Sequence, residues 1–219
     1  MSPRPRKASD EEIFAAAHRV AMRVAPDQFT LAEIAGEAGL TAGALVQRFG
    51  SKLGLLRAIA GQLTEGSGAM FEEIRAAHRS PLAAVHDYGA CIARMGESPG
   101  GIAHHLAWLQ LDLTDEEMHQ HLTAQAKIAR TALERWLSEA VQAGELDPGT
   151  DVASLARVVQ VTLTGSLLGS AFEGDKPTAA MRRDLAAVLR PFASERTAAG
   201  RSPRARRPRG RARRPRKAS

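Results

Sequence analysis

Apolar residues return every three or four positions along most of this chain, the period of one face of an α-helix. Ile13, Ala17, Val20, Ala21 and Val24 form the first stripe, and Leu31, Ile34, Ala35 and Ala38 the second. Leu45 and Phe49 make a short third, and Leu56, Ile59, Leu63, Met70, Phe71 and Ile74 a longer fourth. The longest includes Met118, Leu122, Gln125, Ala129, Leu133, Trp136, Leu137 and Ala140. No stretch alternates apolar and polar residues with β-branched enrichment, so the expected class is all-α.

Polar punctuation sets the ends. Ser9-Asp10-Glu11-Glu12, Thr30-x-x-Glu33 and Thr114-Asp115-Glu116-Glu117 have capping-box spacing, in which a hydroxyl and a carboxylate each satisfy an orphaned backbone N–H. Ser80-Pro81 and Ser98-Pro99 place a cap before a proline at the first helical position. Ala25-Pro26-Asp27 breaks the first helix, and Gly144 and Pro148 stop the long one. Asp151–Phe172 and Pro177–Phe192 complete a set of roughly nine helices.

The densest signal lies in Thr30 to Leu56. A capped helix ends at Gly39, which can take the left-handed conformation, and Thr41 can cap a second short helix carrying Leu45. Two short helices on a tight glycine turn are a helix-turn-helix pattern, with small Ala35 and Gly39 expected where the helices cross closely. Another helix starts at Ser51. This run resembles the N-terminal DNA-binding domain of the TetR (tetracycline-repressor-like) family, through Ile34, Ala35, Ala38, Gly39, Leu40, Phe49, Lys52 and Leu56. Val46 departs, standing where that family usually has tyrosine.

The resemblance implies that the helix from Ala42 to Arg48 enters the major groove. Gln47 and Arg48 have base-reading chemistry, and Gly43 and Ala44 permit close approach. Thr30, Thr41 and Lys52 are placed for phosphates. Each has a plainer reading as a cap or a surface lysine. The family's tyrosine commonly touches a phosphate, so Val46 leaves backbone affinity to come from elsewhere.

Charge suggests where. The chain's net charge is +6, but residues 201–219 hold ten Arg and Lys and no acid, so residues 1–200 carry −4. Contact with DNA must therefore come from a local patch and from the ends. The expected organisation is a basic arm (1–8), a DNA-binding domain (9–65), a ligand-binding and dimerisation bundle (66–196) and a basic tail (197–219). The tail has a Pro/Arg pattern that reads as extended and disordered, either lying along phosphates or serving only as a solubilising end. Gly66-Ser67-Gly68 would cost a helix interior about 2 kcal/mol relative to alanine, so the fourth helix is expected to kink or end there.

In the bundle, Gly165-x-x-x-Gly169 with Thr162 and Phe172 marks a close helix–helix contact, either between subunits or within one. The resemblance implies a homodimer built from the last two helices, which adds Leu185 and Leu189 to the interface. It also implies a small-molecule effector, for which Cys91, Met95, His104, Trp108 and Trp136 are the candidate lining, although core packing explains them too.

No cofactor is expected. His104-His105 and His119-x-His121 lack the i, i+4 spacing of a helical metal pair, and no catalytic motif appears, so neither a metal site nor an enzyme is expected. A single cysteine and the lack of a signal sequence fit a cytoplasmic protein. Val158–Phe172 is under the length of a membrane span, so no membrane partner is expected. Double-stranded DNA is the expected partner, bound as a palindrome by a ligand-responsive regulator. The alternative is an architectural binder dominated by its tails.

Overall fold

The computed structural model describes residues 8–21, 23–25, 27–97 and 101–194. Nine α-helices carry them: α1 (Asp10–Ala21), α2 (Leu31–Ala38), α3 (Ala42–Phe49), α4 (Lys52–Ala76), α5 (Pro81–Gly96), α6 (Gly101–Thr114), α7 (Glu116–Gln142), α8 (Val152–Glu173) and α9 (Pro177–Leu189). A 3₁₀ turn, Arg190–Phe192, follows α9, and one isolated bridge joins Leu146 to Ala193. The expected arm up to residue 7, the Ser98-Pro99 cap and the tail fall outside the described residues.

Most caps form as the spacing predicts. The Ser9 hydroxyl accepts from the Glu12 amide (3.2 Å) while the Glu12 carboxylate accepts from the Ser9 amide (3.0 Å), a complete box. Thr30 makes only half of one. Its hydroxyl accepts from the Glu33 amide, but the Glu33 carboxylate leans towards Arg23 at 3.8 Å. The third box is displaced by one residue: Thr114 ends α6, and Asp115 caps α7 by accepting from the Met118 amide at 3.1 Å. A carboxylate at that position also meets Arg57, so it serves two roles that threonine cannot.

Two apolar cores result. The first gathers Ile13, Val20, Phe29, Ile34, Leu45 and Leu55 from α1 to α4, with Met118 of α7 entering it. The second fills the bundle. There Trp136 is fully buried and meets Phe71 and Tyr88 edge-on at centroid distances of 5.9 and 6.4 Å. Gly89 of α5 lets α9 press close, since a Cβ there would lie 2.6 Å from Leu185 Cδ1.

α4 belongs to both cores and runs unbroken through Gly66-Ser67-Gly68, correcting the expected kink or end. Leu55 and Leu56 anchor one end and Phe71 the other, and that packing outweighs the two glycines. The Ser67 hydroxyl donates to the Leu63 carbonyl within the helix.

Leu185 and Leu189 also depart from expectation. They are buried inside the subunit's own core at 0% and 5% exposure, so they have no surface to offer a partner. α8, at 22 residues, is the one helix among those described that is long and apolar enough to cross a membrane, although the 15-residue Val158–Phe172 stretch suggested otherwise. Its Leu155, Val159 and Leu163 pack in the bundle core.

Candidate nucleic-acid interface

The turn between α2 and α3 is built by Gly39, at φ +67°, with the Leu40 amide donating to the Ala35 carbonyl at 2.7 Å. A Cβ at Gly39 would meet nothing within 4 Å, so the left-handed backbone, and not crowding, requires glycine there. Ala35 is 1% exposed, as a close crossing demands. The tight approach lies further on. A Cβ at Gly54 would lie 2.1 Å from the Phe49 carbonyl oxygen, so α4 can begin directly against the end of α3 only with glycine at that position. Sequence reasoning passed over Gly54.

Leu45 pins α3 to the core, which leaves Gly43, Val46 and Gln47 exposed and Ala42 and Ala44 partly so. Thr41 and Thr30 are exposed at the starts of α3 and α2, each hydroxyl accepting one amide at 3.2 Å. Each keeps its own proton to donate, so the caps can also serve a phosphate. Lys52 sits in the first turn of α4, which Ser51 caps through the Gly54 amide at 3.0 Å.

Arg48, expected to meet a base or a phosphate, also makes contacts within the unit. Its Nη1 donates to the Ala8 carbonyl at 2.8 Å, its Nε lies 2.7 Å from Asp10 Oδ1, and its guanidinium stands 5.9 Å from the Phe49 ring centre. The acidic first turn of α1 lies next to the last turn of α3 and takes the charge. Arg48 therefore ties α1 to α3 while staying exposed beside Gln47.

Ion pairs fix the rest of the unit. Glu37 of α2 accepts from Arg23 and from Arg19 (2.9 Å), and hydrogen bonding from these guanidiniums holds its carboxyl below the usual range. Arg57 of α4 grips Asp115 with two hydrogen bonds, at 3.1 and 2.6 Å, and approaches Glu117 at 3.3 Å. Hydrogen bonding from Arg57 lowers the Asp115 pKa.

Trp108 of α6 meets Phe29 edge-on at 5.4 Å across the same seam. Around this contact lies a cavity of about 350 Å³ walled by α1, the residue Phe29, α4, α5, α6 and α7. Met95, His104 and Trp108 line it as expected; Cys91 and Trp136 do not. Cys91 lies half-buried on α5 with its sulfur accepting from Arg94 at 2.9 Å, and Trp136 is enclosed in the bundle core. Sequence reasoning missed Asp112, a lone acid in the apolar run from Ile102 to Leu113, which is the signal that marks it.

Two regions of the sequence match family models. Residues 13–59 match the bacterial regulatory proteins of the tetR family, and residues 82–187 match the tetracyclin repressor-like C-terminal domain. The chain belongs to the tetR family. It is a DNA-binding transcriptional regulator with a helix-turn-helix unit and a helical bundle. The fold matches that of E. coli NemR in its reduced form, with TM-score 0.66, 14% identity, and coverage of 84% of this chain and 98% of that one. SmeT, the repressor of the Stenotrophomonas maltophilia multidrug efflux pump SmeDEF, matches with TM-score 0.58 and 25% identity over 86% and 92% of the two chains. The complex of SmeT with triclosan matches with TM-score 0.59 at 22% identity, over 85% and 92%. Among curated protein sequences, none matches significantly.

In this tetR-family chain α8 carries exposed apolar side chains. Val158, Val161 and Phe172 are 49%, 64% and 88% exposed, and a Cβ at Gly165 or Gly169 would meet nothing within 4 Å. The glycine pair is therefore not used for packing inside the subunit.

Proposed function

We propose that this chain is a ligand-responsive repressor that binds a palindromic operator as a homodimer. The observation carrying the reading is the seam. The reading unit and the bundle share α4, the Phe29–Trp108 contact, the Arg57–Asp115 pair and one cavity between them. An occupant of that cavity touches both units, so it can bias their relative placement through differential contacts. Gln47, with Gly43, Ala44 and Val46, would meet base edges, and Thr30, Thr41 and Lys52 would meet phosphates. The α8 stripe of Val158, Val161, Thr162, Gly165, Gly169 and Phe172 would pair with its copy about a twofold axis. That SmeT is a repressor and has been captured with triclosan supports the ligand-responsive part.

Selection of bound sequences from random DNA tests this, using the full-length protein and a chain ending at Gly200. A palindrome recovered by both is expected, with a shallower dependence of affinity on salt in the shorter chain. Enrichment of no sequence would favour the architectural, tail-driven reading. A monomer in sedimentation at micromolar concentration would reject the dimer.

A further inference from the structure

The chemistry of the seam cavity narrows what it holds. Its walls are mostly apolar, and among its described lining residues the one carrying a formal charge at neutral pH is Asp112. No lysine or arginine lies among them. Among the described residues no hydrogen bond or ion pair engages the Asp112 carboxylate, although it is half-buried. Burial pushes its pKa up to about 6, so it is ionised at neutral pH at a cost that no cation among the described lining residues offsets. On the same helix two polar atoms, His104 Nδ1 and Trp108 Nε1, are buried without partners among the described residues. A folded chain seldom leaves two such atoms beside a half-buried carboxylate unless something else completes them. The other large hollow, about 560 Å³ between α5 and α9, contains none of them.

From this arrangement we infer that the cavity takes a compact lipophilic cation, with Asp112 as counter-ion and the Trp108 ring against its apolar body. The inference rests on the ligand-responsive reading above and supplies its ligand class. A hydrophobic anion would face a lone carboxylate with no cation among the described lining residues to hold it. A neutral apolar molecule would leave that carboxylate unpaired in a drier site. A monovalent cation offsets the burial of the charge and can also lie against an aromatic ring.

Tetraphenylphosphonium and tetraphenylborate have one shape and opposite charges, so they separate charge from size. In calorimetric titration of the full chain at neutral pH, the phosphonium should bind at least about tenfold more tightly than the borate. Asp112→Asn keeps the side chain's shape and should bring the two ions within about threefold of each other; its melting curve checks folding. Equal affinities in the parent protein, preference for the borate, binding of neither ion, or a preference that survives Asp112→Asn would each overturn the inference. Operator binding read in the same samples keeps the two readings apart. If the operator is released by a neutral or anionic compound but not by the phosphonium, the ligand class is wrong and the repressor stands. Asp112-dependent phosphonium binding without any operator recognition would uphold the ligand class and remove the repressor.

Discussion

The reading unit and the bundle are held together differently. In α1 to α3 the helices are short, each cap is visible in the sequence, and the turn at Gly39 is dictated by its backbone. In the bundle the helices are up to 27 residues long and are ordered by interlocking side chains such as Trp136, Leu163 and Leu185. The first region depends on local chemistry and the second on shape. Substitutions in the two should therefore fail for different reasons.

The largest effect should come from the bundle. Trp136→Ala removes a fully buried ring that holds Phe71 and Tyr88, and should cost about 3–5 kcal/mol in urea unfolding. A loss under about 1 kcal/mol would mean that the bundle is not organised by that cluster. Gly39→Ala should cost less, about 1–2 kcal/mol, because only the left-handed backbone penalises it. Gly39→Asn should cost less still, since asparagine tolerates that conformation. If asparagine proved worse than alanine in thermal melts, crowding would be the cause after all.

That prediction also marks what could be read without a structure. Caps, the glycine turn and the core-facing Leu45 are encoded within a few residues of each other, so their spacing revealed them. Three features that the sequence did not reveal share a different cause. Arg48 is engaged by Ala8 and Asp10, some forty residues earlier in the chain. α4 survives two interior glycines because its ends lie in separate cores. Leu185 turns inward because Gly89 lets α5 approach. Each depends on a contact distant in sequence, and periodicity along one helix carries no record of such contacts.

Asp112 responds to pH in the opposite sense to the ion-paired and capping carboxylates. The Asp112 carboxyl is raised from 3.8 to about 6, so the folded chain holds that proton more tightly than the unfolded one. Its contribution to stability is present below about 4 and is lost as pH rises through about 6. Glu37, Asp115 and Asp151, all lowered, pull the opposite way and lose their contribution as pH falls. Comparing Asp112→Asn with the parent cancels those common terms. The variant should melt higher at neutral pH, with the difference shrinking towards pH 4. His18, His104 and His105 also line the cavity, and the difference curve should hold when each is replaced by glutamine.

The smallest effect should be a gain. A Cβ at Gly66 or Gly68 would meet nothing within 4 Å, so each change to alanine should stabilise α4 by about 1 kcal/mol. A loss would show that this stretch needs its glycines for something other than space.

One feature of the cavity bears on how such a regulator can diversify. Ala17, Phe29 and Leu56 wall it on one side and are also buried in the reading unit's core. Any change there that suits a new ligand also disturbs the helices that carry α3. Met95, Leu109 and Gln125, another part of its wall, lie outside that core and are only partly buried or exposed. Descendants of this protein can acquire new ligands while keeping the same operator mainly by drifting along that wall.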